Sequence, residues 1–537
     1  MLEELEKTTP KTVEALPEID LHPAPSTASS PEERPAYGRY VLLGLVLLLI
    51  AIAAINLLTL LHTPPPFVDE GWNANRSWAF LHTGRAFGSL DAGVFEKYPG
   101  YWTYFPWLAS AIHAVSMSIL GPQLFAMRLV SVLFGLVLLV AVFVIANRLA
   151  NQRTAFISVL LVAFSFSFIY SSHLGRHDII VAAMGFSAIA LYVTDESQNF
   201  SVKALLAGLI VALTTDIHLN GVIYIPVLGL LFLYDYKWAF LRSKRFWSFA
   251  LGVSIGVFYF VAMHILPYPQ TFFSLFSIGN GTGRTPPLSS LDPNVWLAAL
   301  RYPIDLLDLR AVIVGMAIVY LLWKGSAGDR KLVFLMTMMF VVFLAVIRGK
   351  PIFYGILVAP AANLVAASFL DKVLGMPWRG SPVAFARTAL VWGLAGAALI
   401  LGSIPYLVDS TADTQVTFGR IGQSVPQSSS VMGPQTYWFA LPDQPYYSWE
   451  QIVYYRRDNP GSTLVDAFRA LRPDYLIIDR FMEGAVLEDA KLKEERVPFL
   501  YVPKADLDTF LSDQAHLVTS VETQTFGNVR VYKIDWK

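Results

Sequence analysis

The chain has 537 residues, 55% of them hydrophobic and only 15% charged, with 40 basic side chains against 40 acidic ones. A soluble domain carries about 25% charged residues, so an ordinary water-soluble globule is excluded, and the even charge balance argues against a nucleic-acid-binding field. There is no cysteine, which removes disulfides, thiolate nucleophiles and cysteine metal sites.

In chain order, Met1 to Ala36 is rich in Pro, Ser and Glu and poor in large apolar residues. Such a segment cannot bury enough apolar surface to fold, so residues 1–38 are expected to form a disordered cytoplasmic tail. No cleavable leader is expected, because the first apolar run starts near Tyr40 and is too long for one. Apolar runs then recur at Arg39–Leu61, Leu124–Ala146, Ala155–Ser172, Ile179–Val193, Val202–Asp216, Gly221–Tyr234, Phe246–Leu266, Ala311–Trp323, Leu332–Ile347, Ile352–Leu370 and Thr388–Leu407. Several are shorter than the usual ~20 residues of a transmembrane helix, so their ends are expected to extend into the flanks. The expectation is a polytopic α-helical membrane protein with about eleven spans between residues 39 and 407.

Basic residues in short loops mark the cytoplasmic side. Arg34 and Arg39 place the N-terminus inside. Arg148 and Arg153 mark an inside loop, as do Lys237 to Arg245, Lys324 to Lys331, and Lys372 to Arg387. The alternation holds only if Tyr104–Leu120 does not cross. Its ~17 residues reach about 25 Å, short of the ~30 Å hydrocarbon core, and Ser110, His113 and Ser116 form a polar stripe. It is expected to lie on the outer face as an interfacial helix, the alternative being a hairpin partner of the first span. Residues 408–537 then lie outside. There Ser430-Val431-Met432, Tyr475–Ile478 and Val529–Tyr532 read as strands, Leu464–Leu471 as a helix and Gly527-Asn528 as a turn, which suggests a small α/β domain.

Three clusters fall at the outer ends of spans: Phe67-Val68-Asp69-Glu70, Phe95-Glu96-Lys97-Tyr98 with Pro99-Gly100-Tyr101-Trp102, and Arg176-His177-Asp178. They are expected to converge on one site. Lys97, Arg128, Arg176, Arg348 and Lys350 stand against the positive-inside bias. Together they suit a phosphate, whose oxygens Arg and Lys satisfy by charge-assisted bonds. The alternative for each alone is snorkelling to lipid headgroups. The carboxylates supply the complementary half: transfer of a sugar to a hydroxyl or amine needs a base for the acceptor proton and stabilisation of the leaving phosphate. The alternative for Asp69-Glu70 is a helix cap.

The chain resembles the GT-C superfamily of polyprenyl-phosphate-sugar-dependent glycosyltransferases, most of all the lipid A aminoarabinose transferases and the protein O-mannosyltransferases. The marks are Asp69-Glu70 after the first span, Phe95-Glu96-Lys97 with Pro99-Gly100-Tyr101-Trp102, Met127-Arg128-Leu129-Val130-Ser131, and Asp178. Lys350 and Tyr354 before Pro360 add a Lys-x-x-x-Tyr pattern. The resemblance spans about Arg39 to Leu370 and rests on the order and spacing of these motifs, none of which is specific alone. It implies Asp69 as the base, Glu96, Lys97 and Asp178 lining the same cavity, and Arg128 near the donor phosphate. It also implies an outer C-terminal domain that helps recognise the acceptor, a polyprenyl-phosphate sugar as donor, no nucleotide-sugar site and no obligatory metal.

The expected catalytic residues are therefore Asp69, Asp178 and Glu96. The expected substrate contacts are Glu70, Lys97, Tyr98, Arg128, Arg176, His218, Arg348, Lys350 and Tyr354. Three departures from the family pattern stand out. Gly71-Trp72-Asn73 follows Asp69-Glu70, with Arg76 one turn on as a substitute for the family's arginine. Thr215-Asp216 replaces a common Thr-Lys, with His218 and Asn220 nearby. Arg176-His177 precedes Asp178 and is a candidate extra phosphate contact. The remaining histidines are too scattered to specify a metal site. The aromatic residues from Tyr98 to Trp107 suit an interfacial belt or a stacking surface. Gly279 to Gly283 follows no strand and is expected to be a flexible loop tip rather than a phosphate loop.

The expected activity is an inverting sugar transfer at the outer face of the plasma membrane, to a lipid, protein or glycan acceptor. The alternative is a transporter or flippase of a polyprenyl-linked substrate; no internal repeat of the kind transporters show is evident. A scaffolding role would leave the outer carboxylates without a purpose. Membrane lipid is an expected partner and nucleic acid is not; nothing in the sequence indicates an oligomeric state.

Overall fold

The computed structural model describes residues 39–92, 98–281, 309–347, 352–375, 413–484, 486–487 and 502–536. The expected tail, Glu96, Lys97, Arg348, Lys350, the segment Thr388–Leu407 and most of the Pro267–Arg310 loop lie outside the described residues. The chain divides into two compact units, Met1–Leu48 and Leu49–Lys537. The first contributes only the start of the first helix to the described residues.

That helix is α1 (Arg39–Thr59). Two helices follow before the next long apolar run: α2 (Val68–Thr83) and α3 (Trp107–Leu120). Then come α4 (Leu124–Leu149), α5 (Gln152–Ala163), α6 (Phe166–Ser172), α7 (Asp178–Thr194), α8 (Val202–Ile217), α9 (Tyr224–Tyr236) and α10 (Lys244–Phe260). The helical part closes with α11 (Pro269–Gly281), α12 (Leu309–Lys324), α13 (Ala327–Val346) and α14 (Ala359–Gly375). Ten of the eleven expected apolar segments coincide with one of these helices or a bent pair; the eleventh, Thr388–Leu407, is not described. By length and apolarity, Val41–Thr59, Leu124–Leu149, Leu219–Arg242 and Lys244–Ile265 suffice to cross a membrane, and α5 with α6, bent by 62°, makes a fifth candidate. Among the described residues, eleven spans are thus not reached on length and composition.

The helices start and stop where local chemistry dictates. Asn151, Ser201, Ser243 and Ser326 cap α5, α8, α10 and α13, each side chain accepting a backbone N–H three residues on. The neighbouring loops carry the basic residues expected inside, and acidic partners hold them. Arg148 reaches the Val193 carbonyl (3.1 Å) and Glu196 (2.5 Å). Arg245 pairs with Asp195 (2.8 Å), Lys331 with Asp235 (2.5 Å), Lys372 with Asp329 (2.8 Å) and Arg153 with Asp371 (3.1 Å). These staples share partners and so gather at one end of α4, at Arg148. At its other end Arg128 meets Glu70 in the start of α2, which also holds the loop before α7.

The polar stripe of α3 faces inward, not toward an interface. Ser110 and His113 are buried, and Ser116 donates to the Ala126 carbonyl at 2.7 Å. Val115, Ser118 and Ile119 are the exposed residues of the helix. The start of α3 is held by Asp216 of α8, which accepts the N–H groups of Trp107 (2.9 Å) and Leu108 (3.2 Å). Two of the four orphan amides of a helix start are satisfied this way, by a charge that also suits the helix dipole. Asp216 further accepts from Tyr259 (2.9 Å) and meets His264 (2.9 Å) in a π turn that ends α10.

The C-terminal region contains a five-stranded sheet. Strands β1 (Val431–Gly433), β2 (Tyr446–Ser448) and β3 (Tyr475–Ile478) are parallel neighbours in the order β2-β1-β3. Two further strands, β4 (Val486–Leu487) and β5 (Val502–Pro503), pair separately. Strands β6 (Ala515–Thr523) and β7 (Gly527–Ile534) form a hairpin whose β7 runs antiparallel to β3. Side chains alternate across a strand, and the two faces bury different partners. Met432, Leu476 and Ile478 pack under Leu464, Phe468 and Phe510. Val431, Tyr475 and Ile477 instead share a core with Ala74 of α2, Met117 of α3 and Met127 of α4. The expected strands and the Leu464–Leu471 helix are present, while the hairpin turn falls at residues 524–526 and Gly527 (φ 70°) and Asn528 open β7; β2 and β6 had no comparable signal.

Candidate active site

The first turn of α2 follows directly on Pro64-Pro65-Pro66 and carries Asp69 and Glu70, two carboxylates at the positive end of the helix dipole. At 100° per residue, Asp69, Glu70 and Gly71 project in three directions. Each meets a different part of the protein.

Glu70 is fully buried. Arg128 of α4 donates to both its oxygens, Nε to Oε1 at 2.8 Å and Nη2 to Oε2 at 2.9 Å. The Phe67 and Gly175 amides complete its shell at 2.9 and 2.6 Å. Gly175 has to be a glycine here, since a Cβ would stand 2.7 Å from Met127 Cβ. Arg128, also fully buried, gives its remaining donors to the carbonyls of Leu60 (2.7 Å) and Pro64 (3.0 Å). The sequence suggested both residues as substrate contacts. In this structure their polar atoms are spent on each other and on the backbone, so the pair fixes α2 and the preceding loop to α4.

Asp69 is 38% exposed and forms an ion pair with Nη1 of Arg176. The same guanidinium gives Nε to Asp178 at 2.9 Å and lies 3.6 Å from the centre of the Phe353 ring. Asp178 opens α7, so its carboxylate also stands at a helix N-terminus. Arg176 and Asp178 are 8% and 3% exposed, so one cation links an accessible carboxylate to a buried one. Asp69 and the distant pair Arg176 and Asp178 are therefore in one constellation.

His177 and His218 flank it. The His177 ring lies 5.6 Å from that of His113, and the His218 ring 5.7 Å from that of Tyr354. Burial pushes the His177 pKa well below the ordinary value, helped by His113, His218, Arg176 and Arg76. Burial also lowers that of His218, against an opposing pull from Asp178. Both rings are therefore neutral near pH 7. Tyr98 is half-buried, in the turn before the aromatic group in which Trp102 meets Tyr268 at 5.7 Å. The structure thus gathers Asp69, Glu70, Arg128, Arg176, Asp178, His218 and Tyr354 at one end of the bundle. Glu96, Lys97, Arg348 and Lys350 are not among the described residues. Among those that are, no three His, Asp or Glu side chains converge as a metal-ligand set.

Two residues matter more than their sequence context suggested. Asp216, noted only as a departure, is the hub that ties α3, α8 and α10 together. Asp91 had no signal beyond being a loop carboxylate. It is fully buried, holds both arms of Arg76 (2.7 and 2.9 Å) and accepts from Trp72 at 2.6 Å. Arg76, the suggested substitute for the family's arginine, is thereby committed to it.

Comparison with known proteins agrees with this architecture. A family model described as dolichyl-phosphate-mannose-protein mannosyltransferase matches residues 105–264. No curated protein sequence matches the chain. Among solved structures, ArnT from Cupriavidus metallidurans bound to undecaprenyl phosphate aligns over 91% of this chain and 98% of its own, with 15% identity and a TM-score of 0.55. The oligosaccharyltransferase of Archaeoglobus fulgidus, tethered with an acceptor peptide, aligns over 92% of this chain and 74% of its own, with 12% identity and a TM-score of 0.56. The archaeal oligosaccharyltransferase AglB from Archaeoglobus fulgidus, in complex with an inhibitory peptide and a dolichol-phosphate, aligns over 92% of this chain and 74% of its own, with 13% identity and a TM-score of 0.54. At such identities the likeness to these structures is one of fold. With residues 105–264 matching that family model, the chain shares the fold of these membrane enzymes.

Proposed function

We propose that the protein transfers a sugar, with inversion, from a polyprenyl-phosphate carrier to a hydroxyl or amine acceptor at the outer face of the plasma membrane. The observation that carries this reading is the Asp69–Arg176–Asp178 constellation, at the end of the bundle opposite the stapled basic loops. The positive-inside bias puts those loops in the cytoplasm, and hence the constellation and residues 408–537 outside. Undecaprenyl phosphate and dolichol-phosphate, bound by the structural relatives, suggest the class of carrier.

In this reading the acceptor's oxygen or nitrogen attacks the anomeric carbon. The bond from that carbon to the phosphate oxygen breaks, and its electron pair leaves with the polyprenyl phosphate. Asp69, the exposed member of the constellation, takes the acceptor's proton. Arg176 orients Asp69 and is the nearest described cation for the developing phosphate charge. Lys97, Arg348 and Lys350 complete the cationic grip, and Glu96 and Asp178 line the cavity. His218, Tyr354 and Tyr98 face the sugar, and the C-terminal region meets the acceptor.

The test is label transfer in reconstituted membranes, with a panel of radiolabelled polyprenyl-phosphate sugars and total membrane acceptors, comparing wild type with Asp69→Asn. Transfer by wild type and loss in a folded, donor-binding variant is expected. Equal transfer by both refutes Asp69 as base. Transport of the intact carrier without transfer refutes the enzyme reading.

A further inference from the structure

The third residue of the α2 triplet has its own partner. A Cβ on Gly71 would stand 2.0 Å from the carbonyl oxygen of Gln435 and 2.7 Å from its carbon. Real Cβ atoms do not approach backbone so closely, so α2 and the turn Gln435–Ala440 are in direct main-chain contact. That turn is itself rigidly held. The Gln435 side chain donates to Ser448 (2.9 Å), Tyr446 to the Pro434 carbonyl (2.7 Å) and Tyr437 to the buried Asp479 (2.9 Å). The same sheet face shares its apolar core with Ala74, one turn further along α2. The first turn of α2 is therefore clamped from two sides: by Arg128 through Glu70, and by the C-terminal lobe through Gly71.

We infer that the C-terminal lobe sets the position of Asp69, with Gly71 as the positioning residue through which it acts. The inference rests on Asp69 being the base. Asp69 is two residues from Gly71 on one rigid helical turn, so a shift of the Gln435 turn moves the carboxylate relative to Arg176 and the acceptor. An acceptor that docks on the lobe would thereby be registered at the base without touching it.

The experiment uses the full-length protein in lipid nanodiscs. Gly71→Ala forces α2 and the turn apart. Tyr437→Phe loosens the turn from the lobe side without adding bulk. Gln451→Ala, which cuts a 3.5 Å bond from the lobe to the Ser89 carbonyl, is the control for the same interface away from Asp69. The chain has no cysteine, so Asp69→Cys gives a single thiol whose labelling rate reports this position without any activity. Combined with Asp69→Cys, Gly71→Ala and Tyr437→Phe are each expected to change that rate several-fold, and Gln451→Ala to leave it unchanged. With Asp69 retained, Gly71→Ala is expected to lower thermal stability and to lower kcat roughly 10- to 100-fold at a temperature where the variant stays folded, with acceptor KM little changed. Unaltered labelling in both variants, or an equal change in Gln451→Ala, overturns the inference. If wild type transfers no sugar, the functional reading fails, while the labelling arm still decides whether the lobe positions residue 69.

Discussion

Replacing Glu70 by Gln keeps the shape of the side chain and removes only its charge. Arg128 would then be a buried guanidinium with no counter-ion, because both partners are fully buried and its other donors meet only neutral carbonyls. Breaking a buried pair from one side costs about 3–5 kcal/mol. Removing both charges, as in Glu70→Met with Arg128→Met, also removes the desolvation cost and is expected to recover most of that loss. The assay is a double-mutant cycle on denaturant unfolding in bicelles, where a coupling of several kcal/mol is the expected result. A loss below ~1 kcal/mol for Glu70→Gln, or two single effects that simply add, refutes the clamp. Arg128→Met with unchanged stability and lost donor binding would return Arg128 to the phosphate site.

Four further outcomes are expected. Asp178→Asn removes the buried partner of Arg176, so transfer is expected to fall with a change in kcat exceeding that in donor affinity, measured by steady-state kinetics. Asp216→Asn weakens the cap on α3 and the contact with His264, at about 1.5–3 kcal/mol, read by unfolding. Gly175→Ala puts a methyl 2.7 Å from Met127 Cβ and displaces the amide that serves Glu70, so it is expected to destabilise in the same assay. His177 and His218 have pKa values depressed by burial. Their stabilisation is therefore fully present above the unfolded value of about 6.5 and is lost as pH falls toward the folded values. Unfolding followed from pH 8 to 5 is expected to show that decline, flattened in His177→Gln and His218→Gln.

The helical segments were legible because apolar run length is a strong signal, and β3 and the Leu464–Leu471 helix because they follow single periods cleanly. Asp69, Arg176 and Asp178 were legible because charges at span ends demand an explanation. The division of labour inside Asp69-Glu70 was not. Adjacent carboxylates look alike in sequence, and only the direction of each side chain on α2 sends one to Arg176 and the other to Arg128. The α3 stripe misled for a related reason. Periodicity locates a polar face but does not say whether water, lipid or protein covers it; here Ser116 meets Ala126 of α4 and His113 faces His177. Asp216 and Asp91 act through partners 43 to 109 and 15 to 19 residues away, separations that no local pattern encodes.

The segregation of the two ends bears on engineering as well as on chemistry. The caps and ion pairs at Asn151, Asp195, Asp235, Asp329 and Asp371 depend only on one another, not on the loops that bear Asp69, Asp178 and His218. Exchanging those loops would therefore leave these pairs and caps in place. Chimeras cut at mid-helix are the natural way to make that exchange.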